Sequence, residues 1–224
     1  PVAIFCFLTR TCAAYGVSYL KPALSYIVLT TVLLLAFLFI FYPLFVSVTT
    51  KLSPTVFAKK IAKVALFGFS TSSSAATLPM NIETAEKELG VSEEIASFIL
   101  PLGMTINMDG TALMQVVATI FIAGVAGYTV HLPQLILIGL LAVIASVGTP
   151  AAPGAGAIIL FTILSGVGFT NPIALSVYAL ILAINRPIEM LVTALNVTGD
   201  TACAMVVCKS ENSLNEEVFN TVSK

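Results

Sequence analysis

The chain has 224 residues, of which 58% are apolar and only 9% are charged, and its mean hydropathy is +1.04. Soluble domains carry about 25% charged residues, so this composition excludes an ordinary soluble protein and predicts an all-α integral membrane protein. The net charge of −1 carries no information about nucleic acid, and no nucleic-acid partner is expected for such a membrane protein. The cysteines lack the spacing of metal ligands and are interpreted as small buried apolar residues: Cys6, Cys12, Cys203 and Cys208.

Residues 1–22 are interpreted as the end of an upstream helix followed by a loop. They lack the basic start and the cleavage site of a signal peptide, and the chain opens at Pro1, so we expect further sequence upstream. Residues 23–48 carry no charge and are long enough for a tilted spanning helix, since a bilayer core needs about 20 residues. Pro43 is expected to kink this helix.

A first helical hairpin is predicted over about residues 55–89. A lysine-containing loop leads into a short apolar arm, the tip STSSSAATLP follows at 70–79, and a charged stretch ends the second arm. Backbone groups in lipid need partners, so a non-helical turn at membrane depth must be buried in protein or line a wet cavity. Small residues suit such a turn, because they bend tightly and allow close packing. We therefore expect the hairpin to re-enter the membrane.

A broken helix is predicted over residues 93–127. Its segment LPLGMTINMDGTA places Asn107 and Asp109 between apolar flanks, with Gly103 and Gly110 nearby. A carboxylate inside a bilayer is costly and is by default functional.

A second re-entrant hairpin is predicted over about residues 132–168, with its tip at GTPAAPGAGA, residues 148–157. A last helix over 172–208 carries Asn196 and Asp200, and the polar tail 209–224 is expected to fray. His131, in the loop before this hairpin, is interpreted as solvated.

The same pattern occurs twice within residues 23–208. A short apolar arm, a tip of small residues and a second arm are followed each time by a longer helix with an Asn and an Asp. Paired interrupted segments in two halves predict an inverted-repeat transporter whose site lies between the tips.

The two aspartates predict a cation site. Neither Asp109 nor Asp200 has a lysine or arginine close by in sequence, and a hard monovalent cation accepts carboxylates, carboxamides and unwound carbonyls as ligands. The alternative is that these groups hydrogen-bond to one another and join helices. Neutral oxygens are available from Asn107, Asn196, Thr105 and Thr111.

The lysines predict the orientation. If both tips re-enter the membrane, the loops around 49–63 and 80–94 share a face with the C-terminus, and the turns on the opposite face contain no lysine or arginine. The positive-inside rule makes the lysine face cytoplasmic in a cell membrane, either inner or plasma. The lysines on this face are Lys51, Lys59, Lys60, Lys63, Lys87, Lys209 and Lys224.

The sequence resembles the dicarboxylate/amino acid:cation symporter family, the glutamate-transporter homologues. The serine-rich tip before ATLP, the LPLGMTINMDGTA segment, the GTPAAPGAGAI tip and the NVTGD segment match that family in order and spacing over roughly residues 23–210. The resemblance implies a multi-pass symporter, not an enzyme, coupled to Na⁺ and assembled as a homotrimer in lipid. It also implies an elevator-like movement of this transport domain against a scaffold.

The resemblance also implies ligand sets. A first sodium would be held by Gly103, Asn107, Asp109, Asn196 and Asp200. A second would use backbone around Thr105, Ser146 and Thr149. The substrate would contact Ser73, Ser74, Thr111, Gly156, Glu189, Thr193 and Asn196.

Two departures from the family affect the substrate. Members that carry acidic amino acids have an Asp at the position of Glu189 and an Arg at the position of Val192. Arg–carboxylate recognition is bidentate and strong, and valine cannot replace it. Arg186 is expected to reach the pocket only from another depth and face, and Asn185 replaces a usual Asp. The sequence therefore predicts a symporter for neutral rather than acidic amino acids.

Three other readings remain open from the sequence. An intramembrane aspartyl protease would use Asp109 and Asp200 as a dyad, although the Gly-x-Gly-Asp pattern of such proteases is absent. A passive channel would not concentrate its substrate. A truncated product without its upstream half would not transport.

Overall fold

The computed structural model describes Thr9 and residues 20–221, and every regular element within residues 20–221 is helical. The all-α prediction is therefore confirmed for this part of the chain. Most of the segment predicted as an upstream helix and loop, with Cys6 and Cys12, lies outside the described residues. The helices are α1 (Leu20–Ala36), α2 (Tyr42–Thr50), α3 (Pro54–Thr71), α4 (Ser74–Lys87), α5 (Glu93–Ile106), α6 (Asp109–Val125), α7 (Leu132–Val147), α8 (Ala155–Gly166), α9 (Pro172–Ile184), α10 (Arg186–Ser210) and α11 (Glu216–Asn220).

Within the described part of the chain, three helical stretches are long and apolar enough to cross a membrane: Ala23–Thr50, Glu93–Val125 and Arg186–Ser210. Helices α7, α8 and α9 are also apolar but shorter. Many large apolar side chains lie on the outside, among them Phe39 and Ile144, which are 66% and 69% exposed. An outer surface of this kind indicates contact with lipid or with another protein.

The first stretch contains a π-helical turn, Phe37–Phe41, directly before Pro43. The Tyr42 N–H bonds to the Phe37 carbonyl, one residue further back than in an α-helix. A proline inside a helix lacks an N–H and clashes with the carbonyl four residues earlier, and the wider turn removes that conflict. The wider turn also changes which side of the helix is buried. Residues 39–41 are exposed, whereas Tyr42 and Pro43 are buried.

Two helix pairs turn at the tips that the sequence singles out. Helices α3 and α4 meet at Ser72, whose φ of 52° is left-handed, and α4 is capped by Ser73, which accepts a hydrogen bond from the Ala76 N–H. Helices α7 and α8 are joined by residues 148–154. The two tips touch each other, because the Ser73 hydroxyl donates to the Ala151 carbonyl at 2.9 Å.

The helix interruption between α5 and α6 consists of Asn107 and Met108, whose backbone angles are not helical. It falls inside the segment for which the sequence predicts a broken helix. A second interruption is a correction to the prediction of one helix over 172–208. The structure divides that segment at Asn185 into α9 and α10. Pro187 provides the physical reason, since it cannot donate a helical hydrogen bond.

Helix α10 is the central element. It packs against α2, α3, α4, α5 and α6. In its most apolar stretch of 18 residues, 78% of the residues are buried. Side chains on all of its faces are covered, including several that are polar. A helix in this position can hold polar groups away from both water and lipid.

The C-terminal tail is the second feature in which the structure differs from the sequence prediction. We expect residues 209–224 to fray, but α11 forms and its Phe219 is fully buried. The Lys60 ammonium donates to the carbonyls of Glu88, Val218 and Phe219 at 2.8, 3.1 and 2.7 Å. The described part of the tail is therefore docked on the start of α3 and the end of α4.

Candidate cation and substrate site

The two aspartates lie close to the helix interruption. Asp200 is 2% exposed, and its Oδ1 accepts a hydrogen bond from Asn107 Nδ2 at 3.0 Å. Gly103 gives this carboxylate room, since a Cβ at that position would lie 2.7 Å from Asp200 Oδ1. Asp109 is the first residue of α6, and the Tyr42 hydroxyl that bonds to it lies beside Gly199, the neighbour of Asp200. The structure thus brings together Gly103, Asn107 and Asp200, which are predicted to share one ion.

Asn196 connects this cluster to the start of α6. Its Oδ1 accepts from the Gly110 N–H at 2.8 Å, and its Nδ2 donates to Thr111 Oγ1 at 3.2 Å. Its Nδ2 also lies 3.2 Å from the Met108 sulfur. The carboxamide is therefore fixed by three contacts, and its position between α6 and α10 is determined.

The residues of this cluster fit a hard monovalent cation. Asp109 Oδ1 is buried and has no hydrogen-bond partner among the described residues, and a buried acceptor of this kind is costly unless something satisfies it. The donor set consists of carboxylate and carboxamide oxygens close to non-helical backbone, which are the ligands that interrupted transporter helices offer Na⁺. A bound cation would neutralise charge that the described residues leave uncompensated.

Tyr42 belongs to the cluster, and sequence reasoning missed it. Its hydroxyl donates a hydrogen bond to Asp109 Oδ2. The two residues are 67 positions apart and sit on different helices, so neither periodicity nor spacing places them together. The available signal in the sequence is a tyrosine next to a proline inside an otherwise apolar span.

The residues of the second predicted ion set are placed separately. Thr105 is exposed and its hydroxyl donates to the Leu102 carbonyl, whereas Ser146 and Thr149 are buried and donate to carbonyls of α7. Helices α5 and α7 are in contact. Each hydroxyl proton is already donated to a nearby backbone carbonyl, so backbone carbonyls and hydroxyl lone pairs are what remains for an ion.

A cavity of about 30 Å³ lies between the two tips. Six of the seven predicted substrate contacts line it, as does Val192; Ser73 is not part of the wall, and its hydroxyl binds the other tip. Glu189 supplies the one charged group among the described lining residues, and its Oε1 is buried without a hydrogen-bond partner. The predicted positions on the wall are Ser74, Thr111, Gly156, Glu189, Val192, Thr193 and Asn196.

The wall also contains residues that sequence reasoning missed. Ser72 lines the cavity and its buried hydroxyl has no partner among the described residues. Met108 and Met114 add two thioethers, which adapt to apolar ligands of varied shape. In the sequence these residues look like ordinary core positions. Their place on the cavity wall depends on how the two tips meet in the folded chain.

Arg186 lies close to one of the predicted substrate residues. Its Nη1 lies 3.8 Å from Glu189 Oε2, yet its side chain is 53% exposed and it is not part of the cavity wall. Its closeness to Glu189 follows because three residues span nearly one helical turn, and its access to the pocket from another depth and face stays a prediction. One carboxylate oxygen thus faces the arginine, and the other has no hydrogen-bond partner among the described residues.

Comparison with known proteins identifies the family of the chain. The model of the sodium:dicarboxylate symporter family matches residues 1–210. The chain belongs to this family. An excitatory amino acid transporter of Caenorhabditis elegans is 38% identical over 165 residues, which is 74% of this chain and 32% of the relative. Human excitatory amino acid transporter 2 is 38% identical over 169 residues, which is 75% of this chain and 29% of the relative.

A further relative, the putative sodium-dependent excitatory amino acid transporter glt-4 of Caenorhabditis elegans, is 34% identical over 188 residues, or 84% of this chain and 37% of the relative. The chain thus spans about a third of the length of the curated relatives it matches. All three are named as transporters, which agrees with the interpretation of this chain as part of a transporter and not of an enzyme.

Proposed function

We propose that this chain forms the ion- and substrate-binding part of a sodium-coupled symporter of amino acids or dicarboxylates. The observation that carries the proposal is the continuity of the two sites through Asn196. Its carboxamide lines the cavity between the tips and also bonds to Gly110, beside Asp109. An ion that orders this region would also order the wall of the substrate cavity, which is the basis of coupled binding.

The cavity favours a neutral amino acid. Glu189 offers for an α-amino group a carboxylate oxygen that has no hydrogen-bond partner among the described residues, and Val192 presents an apolar surface where acidic-substrate members have arginine. A ligand carboxylate buried without a partner has a heavy desolvation penalty. An apolar side chain against Val192 avoids that penalty and gains about 0.8 kcal/mol per buried CH₂.

The wider setting of the proposal follows from the lysines and the tips. The contacts of Lys60, Lys63 and Lys209 lie at the open end of the first hairpin and the end of α10, which supports a cytoplasmic position for that end. The two hairpins would enter the membrane from opposite sides as an inverted repeat, with their tips meeting at the substrate. A trimer with an elevator-like movement is the assembly that we expect for the intact protein.

Uptake into proteoliposomes tests the substrate. With an inward sodium gradient, the intact protein should accumulate alanine or serine, and replacement of sodium by choline should stop uptake. Unlabelled alanine and serine should compete better than glutamate and aspartate. Val192→Arg should move the preference toward the acidic substrates, although only in part, because Glu189 is one methylene longer than the aspartate of acidic-substrate members.

Val192→Leu is the matched control, since it changes the size of the wall without adding charge and should keep the neutral preference. Tight uptake of glutamate by the wild type would contradict our interpretation of Val192. In that case Arg186 becomes the candidate partner of the substrate carboxylate, and Arg186→Gln should abolish glutamate uptake.

A further inference from the structure

The first long helical stretch, Ala23–Thr50, places a buried hydroxyl in the acidic cluster, the group formed by Asn107, Asp109, Asn196 and Asp200. Tyr42 is 5% exposed, and its phenol donates to Asp109 Oδ2 while Asp109 Oδ1 has no partner among the described residues. The two oxygens of one carboxylate therefore differ: one is held by a neutral donor and the other is available.

The phenol ends inside the predicted ligand set rather than at its edge. Gly199 precedes Asp200 on α10, and a Cβ at Gly199 would overlap the Tyr42 hydroxyl and lie 2.9 Å from Asn107 Nδ2. The missing side chain of Gly199 thus provides the space in which the hydroxyl and the Asn107 carboxamide lie next to each other. Both groups are close to the two aspartates.

The helix holds Tyr42 in this position by its own geometry. The π-helical turn before Pro43 changes the buried face, so that residues 39–41 are exposed and Tyr42 is buried. The rings of Phe41 and Phe45 pack edge-on against Tyr42, with ring centroids 5.4 and 6.5 Å away. A π-turn of this kind is often found at a functional position.

We propose that the Tyr42 hydroxyl competes with the cation for the Asp109 carboxylate and so sets the affinity and the release rate of the site. The positive end of the O–H dipole points at Asp109 Oδ2, and a cation bound by the same carboxylate would repel it. The hydroxyl must turn away when the ion enters, and its return stabilises the carboxylate when the ion leaves. The inference rests on the proposed sodium site.

Tyr42→Phe tests the inference by removing one oxygen atom. Sodium titration of the purified intact protein, by calorimetry, should give a dissociation constant about tenfold lower than the wild type, the size expected for one hydrogen bond to a charged group. Sodium release, followed by stopped flow, should slow by a similar factor. An unchanged or higher dissociation constant would overturn the proposal, and a higher one would identify the phenol as a ligand.

Tyr26→Phe is the matched control. Tyr26 lies on the same stretch, is 1% exposed, and its hydroxyl donates to the neutral Asn185 Oδ1 at 2.6 Å. This variant loses a buried phenol hydrogen bond at comparable structural cost, and its sodium affinity should stay at the wild-type value. A sodium affinity raised equally in both variants would overturn the specific role of Tyr42.

A phenol with a changed hydrogen-bond donor strength provides a second test, which leaves the packing around position 42 intact. Incorporation of 3-fluorotyrosine at position 42 makes the phenol a stronger donor, so sodium should bind more weakly than in the wild type, opposite to Tyr42→Phe. Failure of the underlying sodium site would show itself differently, because the wild type would then bind no sodium at all.

Discussion

At the scale of single residues, Gly103 shows how a missing side chain contributes to the acidic cluster. Alanine normally stabilises a helix interior by about 1 kcal/mol relative to glycine. Here, however, its Cβ would lie 2.7 Å from Asp200 Oδ1 and 3.1 Å from Asp200 Cγ, so the carboxylate must move. We expect Gly103→Ala to weaken sodium binding by about tenfold or more, as measured by calorimetric titration.

Gly139→Ala is the control for this change, because Gly139 lies on α7 with open space where the Cβ would go. It should leave the sodium titration unchanged. An unaltered dissociation constant in Gly103→Ala would show that Asp200 can shift without loss of the site, and the assignment of Gly103 would then be wrong.

Asp200 carries the most direct prediction. Asp200→Asn keeps the shape but removes the charge, and the new amide would face Asn107 Nδ2, which now donates to the carboxylate. Sodium binding should weaken by at least tenfold and sodium-driven uptake should be lost, because a neutral amide compensates no cation. Glu216→Gln, at an exposed carboxylate paired with Lys209, should change neither. Uptake with an unchanged sodium dependence in Asp200→Asn would rule out the proposed ligand.

The sequence predicts the polar groups of the cluster better than their partners. Asn107, Asp109 and Asp200 stand out because a charge in an apolar run needs a reason. Tyr42 does not stand out, since a tyrosine in a spanning helix is ordinary, and its contact depends on how two distant helices pack. Arg186 lies near Glu189, one turn along α10, but outside the cavity wall.

At the scale of elements, the backbone of the second tip, residues 148–154, is conformationally restricted, and this restriction can be tested. Its turn is short, with the Ala152 N–H bonded to the Pro150 carbonyl at 2.7 Å, and proline fixes its own φ near about −65°. The Ala151 carbonyl accepts from Ser73 on the other tip. We therefore predict that Pro150→Ala combined with Ala151→Gly opens this hairpin about two- to fivefold faster, the range expected from backbone freedom.

A spin label at the exposed Ala152 measures the opening rate directly. Pro133→Ala, at the opposite end of α7, serves as the control and should leave the rate unchanged. Equal rates in the wild type and the double variant would show that the tip sequence does not limit opening.

Helix interruptions differ in how well the sequence predicts them. The break at Asn107 is marked by polar residues and glycines in an apolar run, and it was predicted. The break at Asn185 was not, although Pro187 follows it, because α9 and α10 read as one continuous apolar segment. A proline near the start of a helix is also tolerated, so the sequence does not distinguish a new helix from a kinked one.

At the scale of the whole molecule, the C-terminal tail closes the end of the domain that holds most of the lysines. Asn215 N–H bonds to the Gly90 carbonyl at 2.8 Å, and Gly90 has a φ of 77° and no space for a Cβ beside Asn215. Lys209 pairs with Glu216. The sequence indicates only a polar tail here, since its single large apolar anchor, Phe219, is too little to predict docking.

Lys60 is the residue on which this docking most depends. Its ammonium lies 5.5 Å from the centroid of the Phe219 ring and donates to three carbonyls, two of them in the tail. Lys60→Met keeps much of the apolar packing and removes every one of these donors. Hydrogen bonds to charged groups are each worth about 1.5–3 kcal/mol, so opening of the tail should become at least about tenfold more frequent.

Hydrogen exchange of residues 211–221 in the intact protein measures that opening, since exchange reports local unfolding. Protection should fall in Lys60→Met and stay at the wild-type level in Lys59→Met, because Lys59 is the exposed neighbour on the same helix. Sodium affinity should be the same in all three proteins, because the acidic cluster contacts neither lysine. If Lys60→Met keeps the full protection of the tail, then the Gly90–Asn215 contact and the Lys209–Glu216 pair are sufficient to hold it, and Lys60 is not the residue that secures the tail.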